Sequence, residues 1–334
     1  MKLRVGIVGL GSQWESRYLP ALRSLADRFE VRCICEQVSH LAERAAAALH
    51  AVPVDGFRAL AARDDIDAIL YLADQWYGAT PILAACDHGK AVYSAIALPL
   101  DADEARLLRT RVEESGIAFM AELPRRHAPA TVRLKELIAT RLGQPRLLFC
   151  HRRVPLAAGP AAAARDEASE SRDLMELIDW CRYVAGAEPT SVIGVGHATA
   201  PGMATHDYQM LSLDFSPGER PGDGALAHIS CGYYMPREWE EAVGFRPPPA
   251  LQVVCQHGIA FIDLPANLVW FDTAGRHQES LESERPLGEC MLLQFHRKVT
   301  SLVRPVSGLD DALAAMHIVQ AAATSQAEGR RVRL

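Results

Sequence analysis

Lysine is scarce in this sequence of 334 residues, with four copies at Lys2, Lys90, Lys135 and Lys298 against an abundance of arginine. A lysine-based active site therefore has few candidate residues. The formal net charge of −6 gives no electrostatic support to binding nucleic acid or an acidic membrane surface. No apolar run approaches the roughly 18 residues that a membrane span requires. We predict neither a nucleic-acid partner nor membrane association.

Disulfide and metal-binding motifs are also missing. The eight cysteines are scattered, and Cys33 and Cys35 lie on one predicted buried strand. The histidines, including His206, lack a recognised spacing to a second metal ligand, so we predict no metal site. The start of the sequence has no cleavage-like site of a signal peptide. Reduced thiols in a cytoplasmic protein are the resulting prediction.

The sequence does contain a strand, glycine turn, helix and second strand within its first forty residues. An apolar run, Leu3–Val8, enters a turn with Gly9 and Gly11, and a second run, Val31–Cys35, ends on Glu36. This order is typical of a dinucleotide-binding βαβ unit, in which a helix N-terminus faces the pyrophosphate and a carboxylate faces the adenosine ribose. Because the carboxylate would repel a 2′-phosphate, the pattern favours NAD and leaves NADP open.

The glycine turn departs from the usual fingerprint at its third glycine, where Trp14 stands. The segment from Ser12 to Glu15 also has the form of a helix capping box, which is the structural alternative to a cofactor loop. Glu15 near a pyrophosphate would be unfavourable unless it turns away or pairs with Arg17. We predict that Gln13 and its neighbours contact the cofactor.

A second candidate segment, Asp74 to Tyr77, follows the predicted strand Asp67–Leu72 and so lies at the carboxyl edge of the sheet. Trp76 and Tyr77 would stack on the cofactor or line the substrate cleft, or would instead pack between domains. The predicted cofactor-binding residues are Gly9, Gly11, Ser12, Gln13, Trp14, Glu36, Asp74 and Trp76.

Residues 1–122 alternate short apolar strands with helices, which predicts a Rossmann-type, doubly wound parallel sheet in an α/β fold. The predicted strands are Leu3–Val8, Val31–Cys35, Asp67–Leu72, Ala91–Ser94 and Ala118–Ala121. The predicted helices are Leu19–Asp27, Leu41–His50, Pro81–His88 and Asp103–Ser115. Residues 123–334 contain several consecutive strands joined by turns, which predicts a second α/β domain with an open, mainly antiparallel sheet.

Several segments, in order, resemble the Gfo/Idh/MocA family of NAD(P)-dependent oxidoreductases. They are Val5 to Gly11, Leu19 to Leu22, Asp67 to Leu70, Gly89 to Val92, Arg125 to Ala130 and Ile178 to Tyr183. The resemblance implies a Rossmann domain followed by an α/β domain whose open sheet carries the substrate and often makes oligomer contacts. It also implies a small polar, sugar-like substrate between the domains, and a homo-oligomer.

The sequence lacks both proton-handling residues that this family usually carries. The family's Glu-Lys-Pro motif aligns with Ala95, Ile96 and Ala97, and its histidine in the second domain aligns with Glu176. Oxidation of an alcohol needs a group that takes the hydroxyl proton. The resemblance therefore leaves three readings open, which are an oxidoreductase using Glu176, a catalytically silent binding protein, and a non-redox lyase or glycosidase with tightly held NAD.

Glu176, Asp179 and Tyr183 are spaced by three and four residues on a predicted helix, so their side chains share one face. We predict Glu176 and Asp179 as catalytic residues in the polar wall of a substrate pocket. The alternative is an exposed helix face with ordinary salt bridges.

Overall fold

The computed structural model describes residues 1–73, 77–98, 100–156, 167–197, 207–218, 220, 222–236, 239, 241, 244–281, 285–301 and 307–334. The chain divides into two compact units. The first comprises Met1–Pro124 and Glu284–Leu313, and the second comprises Arg125–Ser283 and Ala314–Leu334. Within the described ranges, no helix is both long and apolar enough to cross a lipid bilayer.

The first unit is built on a parallel sheet. Its strands are β1 (Leu3–Val8), β2 (Phe29–Cys35), β3 (Val52–Pro53), β4 (Ala68–Tyr71), β5 (Ala91–Ser94) and β6 (Phe119–Ala121). They lie in the order β3-β2-β1-β4-β5-β6, and every pairing between neighbours is parallel. The order reverses between β1 and β4, and in sheets of this kind ligands bind beyond the carboxyl ends of the strands at that point. The predicted Rossmann fold is confirmed.

Helices connect these strands. They are α1 (Leu19–Ser24), α2 (Ser39–Leu49), α3 (Phe57–Ala61), α4 (Thr80–Asp87) and α5 (Ala102–Ser115). Helix α5 illustrates how the sequence sets the ends, because Asp101 accepts hydrogen bonds from the amides of Asp103 and Glu104 at 2.9 and 2.8 Å. Glu104 reaches back to the Asp101 amide at 3.1 Å, completing a capping box, and Gly116 ends the helix at φ 61°.

The core of the first unit also includes a helix from the far end of the chain. Helix α8 (Leu287–Thr300) contributes Met291, Leu292 and Phe295, whose side chains are fully buried in the same apolar cluster as β1. The sequence predicts one boundary near residue 122, and burial of this apolar helix face explains why the first unit draws on the later segment as well.

The second unit is built on a nine-stranded mixed sheet. Its strands are β7 (Pro145–Leu156), β8 (Ser191–His197), β9 (Tyr208–Asp214), β10 (Leu226–Pro236), β11 (Leu251–Cys255), β12 (Ile259–Asp263), β13 (Asn267–Asp272), β14 (Gly275–Ser280) and β15 (Val332–Arg333). The order is β14-β13-β12-β11-β7-β10-β9-β8-β15, and β7 pairs with β10 in parallel while the other pairings are antiparallel. The predicted mainly antiparallel sheet is confirmed.

Helix α7 (Glu167–Ala185) packs against β7 and β10. Residues that alternate along these strands, such as Leu148, Cys150 and Ile229, are fully buried, whereas the residues between them are partly exposed. This period of two identifies the face of the sheet that the helix covers. Two further helices are α6 (Pro129–Leu137) and α9 (Ser307–Glu328).

Candidate functional site

The glycine turn after β1 requires both of its glycines. Gly9 and Gly11 have φ values of 68° and 67°, in the left-handed region that favours glycine. A Cβ atom at Gly9 would lie 2.4 Å from the backbone oxygen of Ala73, and one at Gly11 would lie 2.9 Å from that of Leu72. The turn therefore lies directly against the carboxyl end of β4, beside the point where strand order reverses.

The first helical turn after the glycines is a π-turn, Trp14–Tyr18, rather than an α-turn. The Leu19 amide donates to the carbonyl of Trp14, five residues earlier. A π-turn holds one more residue than an α-turn, which accommodates the extra residue between Gly9 and Leu19. Trp14 itself is buried in the core of the first unit, so its backbone is the part near the turn.

The capping box predicted from Ser12 and Glu15 does not form. The helical segment begins at Trp14 with Gln13 as its N-cap residue, and no side-chain hydrogen bond caps it. The carboxylate of Glu15 is mostly exposed and lies 3.8 Å from Arg44. Of the two alternatives, pairing with Arg17 does not occur, because Glu15 faces Arg44 and Arg17 binds Glu122.

Arg17 is instead part of a buried cluster around Glu122. The Glu122 carboxylate is fully buried and accepts hydrogen bonds from Arg17, from the Tyr18 hydroxyl and, at 2.8 Å, from the Tyr93 hydroxyl. Burial raises the pKa of Tyr93 well above its usual value, and the charge of Glu122 adds to this effect. Sequence reasoning missed this cluster, although a charged residue directly after the apolar run that forms β6 was a usable signal.

Glu36 closes the glycine turn from the end of β2. Its two carboxylate oxygens accept hydrogen bonds from the amides of Leu10 at 2.9 Å and Gln37 at 2.8 Å. The carboxylate stands at the strand end where dinucleotide-binding folds place the acidic residue that binds the adenosine ribose. Arg32, a candidate for binding a 2′-phosphate, is paired with Glu30 at 2.7 Å and lies 3.4 Å from Asp65.

The structure describes only part of the segment after β4. Asp74 and Trp76, both predicted to bind the cofactor, and the intervening Gln75 lie outside the described residues. Tyr77 is buried, and its ring packs edge-on against Phe57 with centroids 5.2 Å apart. This contact occupies one side of the tyrosine ring within the first unit.

The position of the family's lysine is apolar. Ala95, Ile96 and Ala97 directly follow β5, and all three are buried. Lys90 donates a hydrogen bond to the carbonyl of Ile66 at 2.9 Å, so it is held at the opposite end of β5. Neither Ile96 nor Lys90 therefore provides a proton-handling group beyond the carboxyl end of β5.

Glu176 lies on α7 among three arginines. Its side chain is 12% exposed, and its carboxylate oxygens lie 3.6 Å from Arg125, 3.9 Å from Arg152 and 3.5 Å from Arg172. The structure therefore supports neither an exposed helix face nor an isolated acid, because Glu176 is largely buried and surrounded by positive charge.

Asp173 occupies the neighbouring turn of the same helix. Its carboxylate accepts hydrogen bonds from the Tyr233 hydroxyl and lies 2.8 Å from the Arg152 guanidinium. Burial raises the pKa of Asp173, because the loss of solvation outweighs the attraction of Arg152 and the Tyr233 hydrogen bond. This residue links α7 to β7 and β10 through charge-assisted bonds.

Asp179 is held by a buried ion pair. Its side chain is 2% exposed and binds the Arg126 guanidinium through two nitrogens, while Arg182 lies 3.5 Å away. Arg182 also pairs with Glu188 at 2.7 Å. The guanidinium carbon of Arg126 lies over the ring of Tyr183, 5.1 Å from the ring centroid. The predicted face of Glu176, Asp179 and Tyr183 is thus joined to the segment that precedes α6.

The sequence did not identify the arginines around Glu176. Arg125 lies in a motif shared with the family. Arg152 lies on β7, and it comes near Glu176 only because that strand packs against α7. His206 lies outside the described residues. The described residues contain no group of three or more His, Cys, Asp or Glu side chains that could hold a metal ion.

Comparison with known proteins identifies the first unit. The model of an oxidoreductase family with an NAD-binding Rossmann fold, Gfo/Idh/MocA, matches residues 3–122. The sequence matches none of the curated protein sequences with which it was compared.

Solved structures share the fold over the whole chain. Myo-inositol 2-dehydrogenase from Lactobacillus plantarum is 19% identical, with a TM-score of 0.81 and complete coverage of both chains. Aldose-aldose oxidoreductase from Caulobacter crescentus is 16% identical, with a TM-score of 0.83 and complete coverage of both. UDP-N-acetylglucosamine 3-dehydrogenase from Acidithiobacillus ferrooxidans is 19% identical, with a TM-score of 0.76, covering 97% of this chain and 96% of the other.

The family match and the parallel sheet agree with the motifs from which the resemblance was drawn. Residues 3–122 therefore match, in sequence and in fold, the NAD-binding Rossmann domain of the Gfo/Idh/MocA oxidoreductase family.

Proposed function

We propose that this protein is an NAD-dependent oxidoreductase that transfers hydride to or from a small polar, sugar-like substrate. The observation that carries the proposal is the positive-φ glycine turn closed by Glu36, because it supports a dinucleotide site at the switch point of the sheet. The sugar-related names of the structural neighbours support the substrate class.

The residues of the first unit fit the cofactor that the family implies. Gly9 and Gly11 leave no room for a side chain between the turn and β4, and Glu36 follows β2 at the place where such folds put the ribose-binding acid. Gly11 to Trp14 would hold the pyrophosphate with their backbone, and Glu36 would hold the adenosine ribose. Bound NAD would supply the hydride acceptor. A carbinol carbon would give up a hydride and its hydroxyl group a proton, which leaves a carbonyl.

Glu176 is the proposed acceptor of the hydroxyl proton. Its position aligns with that of the family's histidine, and a carboxylate there can take the proton of a substrate hydroxyl. Three guanidinium groups lie 3.5–3.9 Å from it. Asp179 has a different proposed role, because its carboxylate is already engaged by Arg126 on both oxygens. It would position Arg126 and the turn of α7 that carries Glu176.

A second candidate function is a catalytically silent protein that binds a nucleotide or another ligand. The buried Ile96 favours it, because this apolar side chain stands where the family usually places its lysine. A general base typically contributes about 10²–10⁴-fold to rate, so a chain without either usual residue is a candidate for lost activity.

A turnover assay separates the two functions. Purified protein is incubated with NAD or NADP and a panel of polyols, aldoses and sugar acids, and formation of the reduced cofactor is followed by absorbance. Reduction that requires both substrate and enzyme supports the oxidoreductase. Cofactor binding without turnover on the panel, in either direction, supports the silent binding protein.

Glu36 should set the preference for NAD over NADP. Replacing Glu36 by alanine is expected to weaken NAD binding by about 10- to 100-fold, because hydrogen bonds to a charged group contribute about 1.5–3 kcal/mol. NADP should be affected less, since the same change removes a repulsive charge. Calorimetric titration of both cofactors checks this, with Glu30→Ala as the control on the same strand. Equal losses for NAD and NADP would contradict the assignment.

We also propose that the chain forms a homo-oligomer through the second sheet. Ile193 and Val195 alternate on β8 with buried residues and are 37% and 49% exposed, a pattern expected of an apolar face that a partner covers. Val195→Lys should lower the mass measured by light scattering, whereas Val52→Lys, at a site 52% exposed on β3, should not. A single mass for all three proteins would contradict the proposal.

All eight cysteines are free, and seven of them are buried. Reduced thiols of this kind fit the proposed cytoplasmic compartment.

A further inference from the structure

Arg125 is a largely buried cation, and its Nε has no hydrogen-bond acceptor among the residues that the structure describes. Its side chain is 13% exposed, and its Nε lies 3.6 Å from the Glu176 carboxylate, which is too long for a hydrogen bond. Among the residues that the structure describes, this buried Nε has no hydrogen-bond partner. A guanidinium stays charged, and a donor such as this Nε that is left without an acceptor away from water costs free energy.

The neighbouring carboxylates are already committed to other partners. Asp173 is bound by Arg152 and Tyr233, and Asp179 is bound on both oxygens by Arg126. Neither is therefore placed to complete the hydrogen bonding of Arg125. An acceptor group on a bound ligand would do so.

The orientation of Arg125 is fixed by an aromatic ring. Its guanidinium carbon lies over the ring of Trp180, 5.2 Å from the centroid, and Trp180 is anchored by a 2.9 Å hydrogen bond from its indole nitrogen to Thr131. A guanidinium stacked in this way keeps its planar donor fork in one plane. Such a fork matches the two oxygens of a carboxylate and can bind them together.

Arg125 is also next to the proposed base. Because Nε lies 3.6 Å from the Glu176 oxygen, a group bound by Arg125 and a hydroxyl that donates to Glu176 would be on neighbouring atoms of one small molecule. An anionic group on the carbon adjacent to the reacting carbinol satisfies this spacing. A neutral polyol would offer the Arg125 fork no second anionic group beside Glu176.

We propose that Arg125 binds a carboxylate of the substrate, and that the substrate is therefore a 2-hydroxy acid or sugar acid. This substrate class rests on the proposed oxidoreductase function and on Glu176 as its base. The ligand carboxylate adds a negative charge to a cluster in which Arg125, Arg152 and Arg172 face the carboxylates of Asp173 and Glu176.

The test is equilibrium binding, which needs no turnover. Glycerate and gluconate are titrated calorimetrically against their neutral counterparts glycerol and glucitol, with glycerol 3-phosphate as a second anion, in the presence and absence of NAD. The wild type should bind at least one acid saturably in the millimolar range and more tightly than its neutral counterpart. Glycerol 3-phosphate should bind more weakly than glycerate.

Variants at Arg125 test whether this residue is responsible for acid binding. Arg125→Met should weaken acid binding by about 10- to 100-fold, the loss expected for hydrogen bonds to a charged group. Arg125→Lys, which keeps the charge and loses the fork, should recover only part of it. Arg133→Met, at a partly exposed arginine that pairs with Glu279, is the control and should bind as the wild type does. Thermal unfolding of each variant separates loss of binding from loss of folding.

Three outcomes would overturn the proposal. These are neutral polyols binding as tightly as the acids, tighter binding of the phosphate than of glycerate, and no saturable binding of any acid by a folded wild type. Arg125-dependent acid binding without reduction of NAD would support the carboxylate site while the oxidoreductase function failed. Turnover of neutral polyols with no preference for acids would support the oxidoreductase function while the carboxylate site failed.

Discussion

Replacing Glu176 by glutamine is expected to lower kcat by about 10²–10⁴-fold, the usual contribution of a general base. Glutamine has nearly the same size and can still accept hydrogen bonds from the surrounding arginines, but it cannot take a proton. The largely buried position of Glu176 makes replacement by a water molecule inefficient. Steady-state kinetics with the best substrate of the panel measures the effect.

Two controls isolate proton transfer from altered structure. NAD affinity of the Glu176→Gln variant should equal that of the wild type, because Glu176 lies in the second unit and the glycine turn in the first. Glu136→Gln, at a mostly exposed acid on α6, should leave kcat unchanged. If Glu176→Gln turned over at the wild-type rate, the proton would have to be managed by another group, and the assignment of the base would be wrong.

Replacing Gly9 by alanine is expected to remove measurable NAD binding. The new Cβ would lie 2.4 Å from the Ala73 backbone oxygen, so the turn has to move away from β4. The left-handed conformation adds roughly 1–2 kcal/mol for a residue with a side chain. Calorimetric titration with NAD, together with a thermal unfolding curve, checks both consequences.

Gly116 provides the matched control for Gly9. It also has a positive φ, 61°, but a Cβ there would meet nothing within 4 Å. Gly116→Ala should therefore lower stability by the conformational cost alone and bind NAD with wild-type affinity. NAD binding by Gly9→Ala at the wild-type level would mean that this turn does not form the cofactor site.

The first unit could be predicted from sequence because its strands are short, apolar and followed by turns. The predicted Ala91–Ser94 matches the observed β5, and the predicted Asp103–Ser115 differs from α5 by one residue. The two-residue strand β3 and the five-residue helix α3 were not predicted, since segments this short have almost no periodicity. In the second unit, β14 (Gly275–Ser280) is rich in polar residues and carries no apolar alternation.

The glycine turn shows where local patterns mislead. Ser12 and Glu15 have the spacing of a capping box, but the extra residue before Leu19 is absorbed as a π-turn, and this shifts the helix start to Trp14. Burial of the Trp14 indole stabilises that arrangement. A single sequence identifies the extra residue without revealing how the backbone accommodates it.

The candidate site could be predicted only in its acidic half. Glu176 and Asp179 follow from their spacing on one helix and from the family resemblance. Their arginine partners come from elsewhere, because Arg125 and Arg126 precede α6 and Arg152 lies on β7. Contacts between such distant segments depend on tertiary packing, which neither periodicity nor motif spacing encodes.

The most direct test of this account is calorimetric titration of the purified protein with NAD, NADH, NADP and NADPH, after its absorbance has been checked for retained cofactor. The account predicts saturable binding of NAD or NADH at one site per chain, tighter than that of the phosphorylated forms. Absence of binding by all four cofactors, in a folded protein free of retained nucleotide, would contradict it.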